Sequence, residues 1–572
     1  MRSPYVYEGT PTARFLHYIS QRGPIGAPLL LLVGGFLAFY VLAKIFSSFL
    51  PADAVPDSSC VVDLGYARYE GICEEDTTRF LGVRYAAAPV GNLRWRAPQP
   101  PPSSASVIKA VTQPKTCGQG SRGNNPVVPA WAQGRQHPAR APVEDWSEDC
   151  LFLNVYAPGK LHPGPRLPVL VWIHGGGYMR GDVASYDGID LMQQADGGLV
   201  IVEIQYRLGV FGFLAGHELQ AEGTANAGLL DQDFALKWVH EHIAKFGGNP
   251  SDVTVWGESA GAGSVLQHLI ANDGRTTPPL FKRAIATSAF LPPQYAYGDG
   301  IPEGIYNEVL AQTGCSAAND HLRCLRSADA NLLLAVNYDM SDKAFYGTFL
   351  FVPVVDGSFV RERPSQALSQ GKLNARELLA LGITYEGLNF VDPARPEPDS
   401  AAYIRKIFPK MSIADARRVA EVYRNVGDAT ERAVAIMGES IFICPGYALM
   451  RAFDAPYKGV LAVPPGRHGQ DMPYFFPSRN PSSSERFDDA AFQRAFVGSV
   501  FDFARTGNPN NKHPASTTKD IRPTWPVWSP SAPTEMLFNR TGDEPVVRTT
   551  RTRTDVLERC RFWESVSEAA GQ

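Results

Sequence analysis

Two stretches, Leu-Pro-Val-Leu-Val-Trp-Ile (167–173) and Leu-Val-Ile-Val-Glu-Ile (199–204), are apolar at almost every position and show no alternation. A strand reads this way when helices cover both faces of its sheet, as in parallel α/β architectures. Ala284–Ser288, Leu378–Thr384 and Gly459–Pro464 are shorter runs of the same kind. Leu229, Leu236, Val239, Ile243 and Phe246 fall instead at three- to seven-residue steps, the stripe of an amphipathic helix. Gly247-Gly248 stops that helix, and Val253–Trp256 begins the next strand. The alternation predicts one large α/β domain, a central and mostly parallel sheet with helices on both faces.

A different pattern opens the chain. From Gly23 to Ala43 there is no charged residue, long enough to cross a bilayer as a helix. Arg2, Arg14 and Arg22 precede it against Glu8, and Lys44, Asp53 and Asp57 follow. The positive-inside bias therefore predicts a cytoplasmic tail at 1–22, a single-pass signal anchor at 23–43, a stalk at 44–55 and an exported domain at 56–567, a type II membrane protein. Ala52-Asp53-Ala54 supports the alternative, a signal cleaved near Ala54 and a secreted product. In either case the eight cysteines belong in an oxidising compartment and read as disulfides. The composition, 44% hydrophobic and 20% charged with a formal charge of −4, gives no basic excess that would point to nucleic acid. Two Gly/Pro-rich or polar loops, 118–147 and 505–524, interrupt the alternation without dividing it.

Candidate chemistry centres on Val-Thr-Val-Trp-Gly-Glu-Ser-Ala-Gly (253–261), where a serine stands between two glycines at the end of a strand. A tight turn needs glycines for unusual backbone angles. A nucleophile elbow needs them too, on a strained strand-to-helix turn that holds the serine out. A serine nucleophile also needs a base, an acid and backbone donors for an oxyanion. Ile173-His174-Gly175-Gly176-Gly177-Tyr178 begins where a buried strand ends and supplies a donor loop; no Lys-Ser/Thr follows it, as a phosphate-binding loop would require. Of the eleven histidines, His268, His321, His468 and His513 lie after Ser259, and His468 follows a strand beside glycine. Glu386 sits just beyond a buried strand as a candidate acid, with Asp356 and Asp471 as competitors.

These pieces resemble the type-B carboxylesterase/lipase family. The likeness runs through Phe80–Pro100, Ser147–Tyr156, Tyr206–Leu214, Asn226–Pro250, Phe351–Gly357, Gly466–Phe476 and Phe503–Asn510, hence from about Cys60 to Trp563. It implies an α/β-hydrolase fold with Ser259 as nucleophile, Glu386 as triad acid, His468 as base, and the Gly176, Gly177 and Ala260 amides as the oxyanion hole. Asp356 becomes structural, and Glu258 becomes a second carboxylate near the histidine. The likeness also pairs Cys117 with Cys150, Cys315 with Cys324, and Cys444 with Cys560, leaving Cys60 with Cys73. Gln205 and Tyr385 depart from the usual pattern, and the Glu386-to-His468 interval of 82 residues is short. The implied reaction is carboxylic ester hydrolysis through an acyl-enzyme, without metal or organic cofactor. Two alternatives stand beside it. One is an interfacial lipase with a lid in 118–149, where Trp131 and Trp146 lie; the other is a non-catalytic cell-surface binding protein. The acyl and alcohol parts of the ester and the oligomeric state stay open. Asn539 is the one acceptor for N-glycosylation with no proline at x.

Overall fold

The structure, a computed structural model, describes residues 60–128, 145–161, 166–395, 397–479, 483–513 and 518–572. The expected anchor at 23–43, its flanks and Trp131 lie outside the described residues. In sequence order the strands of the main sheet are β1 (Ile72–Cys73), β2 (Thr77–Arg84), β3 (Phe152–Pro158), β4 (Leu167–Ile173), β5 (Val200–Ile204), β6 (Gly248–Glu258), β7 (Arg283–Thr287), β8 (Glu377–Ile383), β9 (Tyr457–Leu461), β10 (Thr534–Thr541) and β11 (Glu544–Arg551). They assemble in the order β11-β10-β9-β8-β7-β6-β4-β5-β3-β2-β1. From β10 to β5 every neighbouring pair is parallel, and antiparallel strands close both edges. Val61–Asp63, Arg68–Glu70 and Val107–Lys109 form a small separate sheet.

The unbroken apolar runs have the expected cause. In β4, Val169, Val171 and Ile173 enter one core, whereas Leu170 and Trp172 enter the core on the opposite face. Helices α1 (Ala227–His242) and α2 (Ala260–Gly274) cover the first face with Leu229, Leu236, Val265 and Leu269. A long helix, Ala490–Thr506, covers the other with Phe492, Phe496 and Phe501. Burial of a large apolar side chain contributes on the order of 1.5–3 kcal/mol, so two filled faces fix the register of every central strand.

Among the described residues one helical stretch, Ala429–Ala452, is long and apolar enough to cross a membrane, but 83% of its apolar window is buried in the protein. It is a core element, with a π-helical turn at Glu439–Ile443. Four disulfides join Cys60–Cys73, Cys117–Cys150, Cys315–Cys324 and Cys444–Cys560: the three pairs that the family resemblance implies and the pair it leaves over. Packing continues past residue 567: the Gln572 amide donates to the carbonyls of Leu291 and Ser440. Trp146 packs on Phe211, with ring centroids 5.8 Å apart. Asn539 sits half-buried on β10 opposite Val546.

Candidate active site

Strand β6 runs into α2 through Ser259, whose φ of 57° and ψ of −123° lie in a region costly for a residue with a Cβ. The glycines on either side do a different job from the one a tight turn would give them. Neither has a positive φ; they supply space. A Cβ on Gly261 would collide with the Ile173 carbonyl, and one on Gly257 would meet Gly261 and the Ala262 amide nitrogen, the latter at 2.8 Å. The strand and helix can therefore approach closely, and the strain falls on the serine. The Ser259 N–H donates to the Thr287 carbonyl at 3.0 Å, which helps hold that conformation.

Residues distant in sequence converge on its hydroxyl. His468 Nε2 lies 2.9 Å from Ser259 Oγ, and His468 Nδ1 lies 2.6 Å from Glu386 Oε2. Glu386 follows β8 and His468 follows β9, so both stand at the same C-terminal edge of the sheet as Ser259. The other oxygen of Glu386 accepts from the Ser288 hydroxyl at 2.7 Å and from the Ile383 N–H at 2.9 Å, which leaves Oε2 aimed at the histidine. Ser288 had no motif to announce it; its one signal is that it ends an apolar run.

The competing candidates go elsewhere. His268 is buried on α2 against Gln232 at 3.0 Å, and burial pushes its ring down to about 4. His321 contacts Glu218 at 2.8 Å, and His513 lies near Asp196. Asp356 accepts from Asn226 and from the Ser358 and Val360 amides, knitting loops together. Asp471 is buried near the site, but its oxygens have no hydrogen-bond partner among the described residues.

The loop after β4 faces Ser259. Gly176 has a φ of 106° and Gly177 one of 67°. A Cβ on Gly177 would also strike the Phe349 ring. The amides of Gly176, Gly177 and Ala260 donate to no acceptor among the described residues, and the last of them opens α2. An anion beside such free N–H groups is stabilised by them and by the helix terminus.

The electrostatics favour a charged histidine. Burial opposes the charge on His468, but Glu258 and the hydrogen bond that His468 donates to Glu386 outweigh it and push the ring up to about 9. Glu258 Oε1 lies 3.3 Å from His468 Nε2 without hydrogen-bond geometry. Burial pushes the Glu258 carboxyl up, against the pull of His468. Phe442 and Phe390 wrap the imidazole with ring centroids at 4.4 and 5.1 Å.

Two cavities meet here. One, of about 730 Å³, contains Ser259, His468, Arg122, Arg180 and Arg479 in its walls. The other, of about 180 Å³, is lined by Phe290, Phe351, Met437, Ile441 and Phe442. Phe349 and Phe390 belong to both walls. Neither the aromatic partition nor the arginines followed from sequence periodicity, because they come from separate loops with no fixed spacing.

Sheet order, elbow and donor loop together define an α/β-hydrolase-fold protein. The chain belongs to the carboxylesterase family, whose model matches residues 58–563. It is 31% identical to Carboxylesterase patB of Penicillium expansum over 564 residues, which is 88% of this chain and 96% of that one. It is 40% identical to Secreted lipase 1 of Botryotinia fuckeliana over 51% of this chain, and there it spans only about half, 53%, of the relative's length. The crystal structure of Aspergillus niger EstA superposes with a TM-score of 0.77 at 29% identity, covering 90% of this chain and 100% of that one.

Proposed function

We propose that the protein hydrolyses carboxylic esters through an acyl-enzyme on Ser259. The observation that carries this reading is the continuous relay from Ser259 Oγ to His468 at 2.9 Å and on to Glu386 at 2.6 Å, facing three free amides. His468 takes the hydroxyl proton through Nε2 as Ser259 Oγ attacks the ester carbonyl. The carbonyl oxygen becomes an oxyanion held by the Gly176, Gly177 and Ala260 N–H groups. As the tetrahedral adduct collapses, His468 returns the proton to the departing alcohol; water then repeats the sequence and frees the acid. Glu386 stays ionised, orients the ring through Nδ1–H and stabilises the imidazolium.

The apolar cavity behind Phe349 suits an aliphatic portion of the ester, so esters with a medium-length chain are the expected substrates over acetates. Four disulfides and the secreted relative favour an exported enzyme. A purely adhesive role is disfavoured, because such a role requires neither the strained Ser259 nor a satisfied relay behind it. Purified Ser259→Ala protein is expected to lose at least about 10³-fold in kcat with its fold intact by circular dichroism, and an organophosphate is expected to label wild-type Ser259 alone. Retention of a tenth of the activity in the variant sinks the proposal.

A further inference from the structure

The walls of the larger cavity carry more positive charge than the mechanism uses. Arg180 follows the oxyanion loop, its amide donating to the Gly176 carbonyl at 3.1 Å, and its side chain is exposed to the cavity. Arg479 lies at the opposite end of the chain's site segments, its guanidinium 4.5 Å over the Tyr186 ring. Arg122 donates to the Asn389 carbonyl at 2.5 Å and lies 5.5 Å over the Tyr346 ring, so its fork is held in place. None of the three forms an ion pair among the described residues, whereas most arginines of the fold that line its interior do, as Arg207 does with Asp231 at 2.7 Å.

Two carboxylates share the same walls. Asp182 is occupied by the amide and hydroxyl of Ser185 at 2.7 and 3.1 Å, and Glu258 is buried against His468. Among the residues lining this cavity, three guanidinium groups therefore face two carboxylates. The arginines also act on one another: burial first, then Arg122 and Arg479, make the charged form of Arg180 less favourable than usual. A bound anion would relieve that repulsion. The guanidinium groups of Arg122, held by a ring and a carbonyl, and of Arg479, held over a ring, are pre-oriented, and an unpaired guanidinium matches a planar carboxylate, which two N–H groups can grip at once. A concave wall with an excess of one sign concentrates such ligands from solution.

We propose that Arg122, Arg180 and Arg479 form an anion subsite beside Ser259 that selects esters carrying a second, ionised carboxylate group. This rests on the ester-hydrolase reading for its catalytic consequence, but binding at the subsite does not. The bond broken is still the ester bond at Ser259; the second carboxylate stays intact and anchors the substrate.

The test pairs 4-acetoxybenzoate and mono(4-nitrophenyl) adipate, which carry the charge on the alcohol and acyl sides respectively, with their neutral methyl esters. In at least one pair the anionic member is expected to have about tenfold higher kcat/KM at low salt. The advantage is expected to shrink in 0.5 M NaCl as exposed charges are screened. It is expected to vanish in Arg180→Gln/Arg479→Gln and to survive in part in Arg180→Lys/Arg479→Lys. A ratio near one in both wild-type pairs overturns the subsite, as does an advantage that the Gln variant keeps. An advantage for 4-acetoxyphenyl phosphate with none for either carboxylate overturns the choice of carboxylate. Calorimetric titration of Ser259→Ala protein with 4-acetoxybenzoate and its methyl ester reads binding without turnover, the acid expected about tenfold tighter. If wild-type protein cleaves none of these esters while that preference persists, the hydrolase reading falls and the subsite stands.

Discussion

The two cavities flanking Phe349 treat charge in opposite ways. The apolar one has a single cation in its lining, Lys406, and that amine is paired with Glu397 at 2.8 Å. The open one holds three arginines and pairs none of them among the described residues. Both sit on the same scaffold and share Phe349 and Phe390, so fold stability does not explain the difference. A paired cation at an apolar wall keeps its desolvation cost low. Unpaired cations in a hydrated cavity keep their charge available to a ligand. The contrast agrees with the proposed substrate, an ester with one apolar and one anionic part.

The largest expected effect tests what the two sides have in common. Glu386→Gln keeps the side chain's shape but removes the charge that orients and stabilises protonated His468, so kcat should fall by about 10³–10⁴-fold. If the proposed relay serves both cavities, the loss should be equal for neutral long-chain and carboxylate-bearing esters; a loss confined to one class would show that the cavities do not share one nucleophile. If Asp471→Asn proved as damaging and Glu386→Gln harmless, the acid would be misassigned.

Ala215→Phe probes the apolar side alone. Ala215 is buried in that cavity's wall, and a phenyl group there fills space meant for an aliphatic chain. The expected result is about a tenfold fall in kcat/KM for 4-nitrophenyl octanoate relative to the acetate, with thermal unfolding measured to register the 1–3 kcal/mol that overpacking costs, to order of magnitude. The ratio between anionic and neutral short esters should not move. An unchanged octanoate-to-acetate ratio would remove the chain-binding role of this cavity.

The smallest effect is on pH dependence. A base acts only when neutral, and His468 is pushed up to about 9, so kcat/KM should climb with pH and level off near that value. Glu258→Gln removes a neighbouring negative charge that favours the imidazolium, so the rising limb should shift to lower pH, by about one unit. The anionic-to-neutral substrate ratio should stay level along that climb, since substrate carboxylates ionise far below it. A limb unmoved by Glu258→Gln would mean that Glu258 carries no charge beside His468.

Much of this architecture is legible in local patterns. The run at 167–173 declares a strand buried on both faces, and the structure sends its alternate residues into two cores. The elbow motif declares a sharp turn, although the reason for its glycines differs from the obvious one: they make room at Ile173 and Ala262 while Ser259 bears the unusual angles. Histidine and carboxylate candidates could be shortlisted from the residues but not chosen; family resemblance made the choice. Phe349 and the arginine group leave no local signal, and Ser288 leaves only its place at the end of an apolar run.

The sequence by itself determines where strands and helices form, because burial on one or both faces imposes a period of 2, 3.6 or none on neighbouring residues. It also marks the elbow and the glycine donor loop as short motifs, although the space their glycines provide is set by Ile173 and Phe349 respectively, far away in the sequence. Only the tertiary structure decides which histidine meets which carboxylate across 82 residues, and which arginines at 122, 180 and 479 end up sharing one wall. Those meetings depend on strand order and on loops packing over the sheet edge, and neither leaves a fixed spacing in the chain.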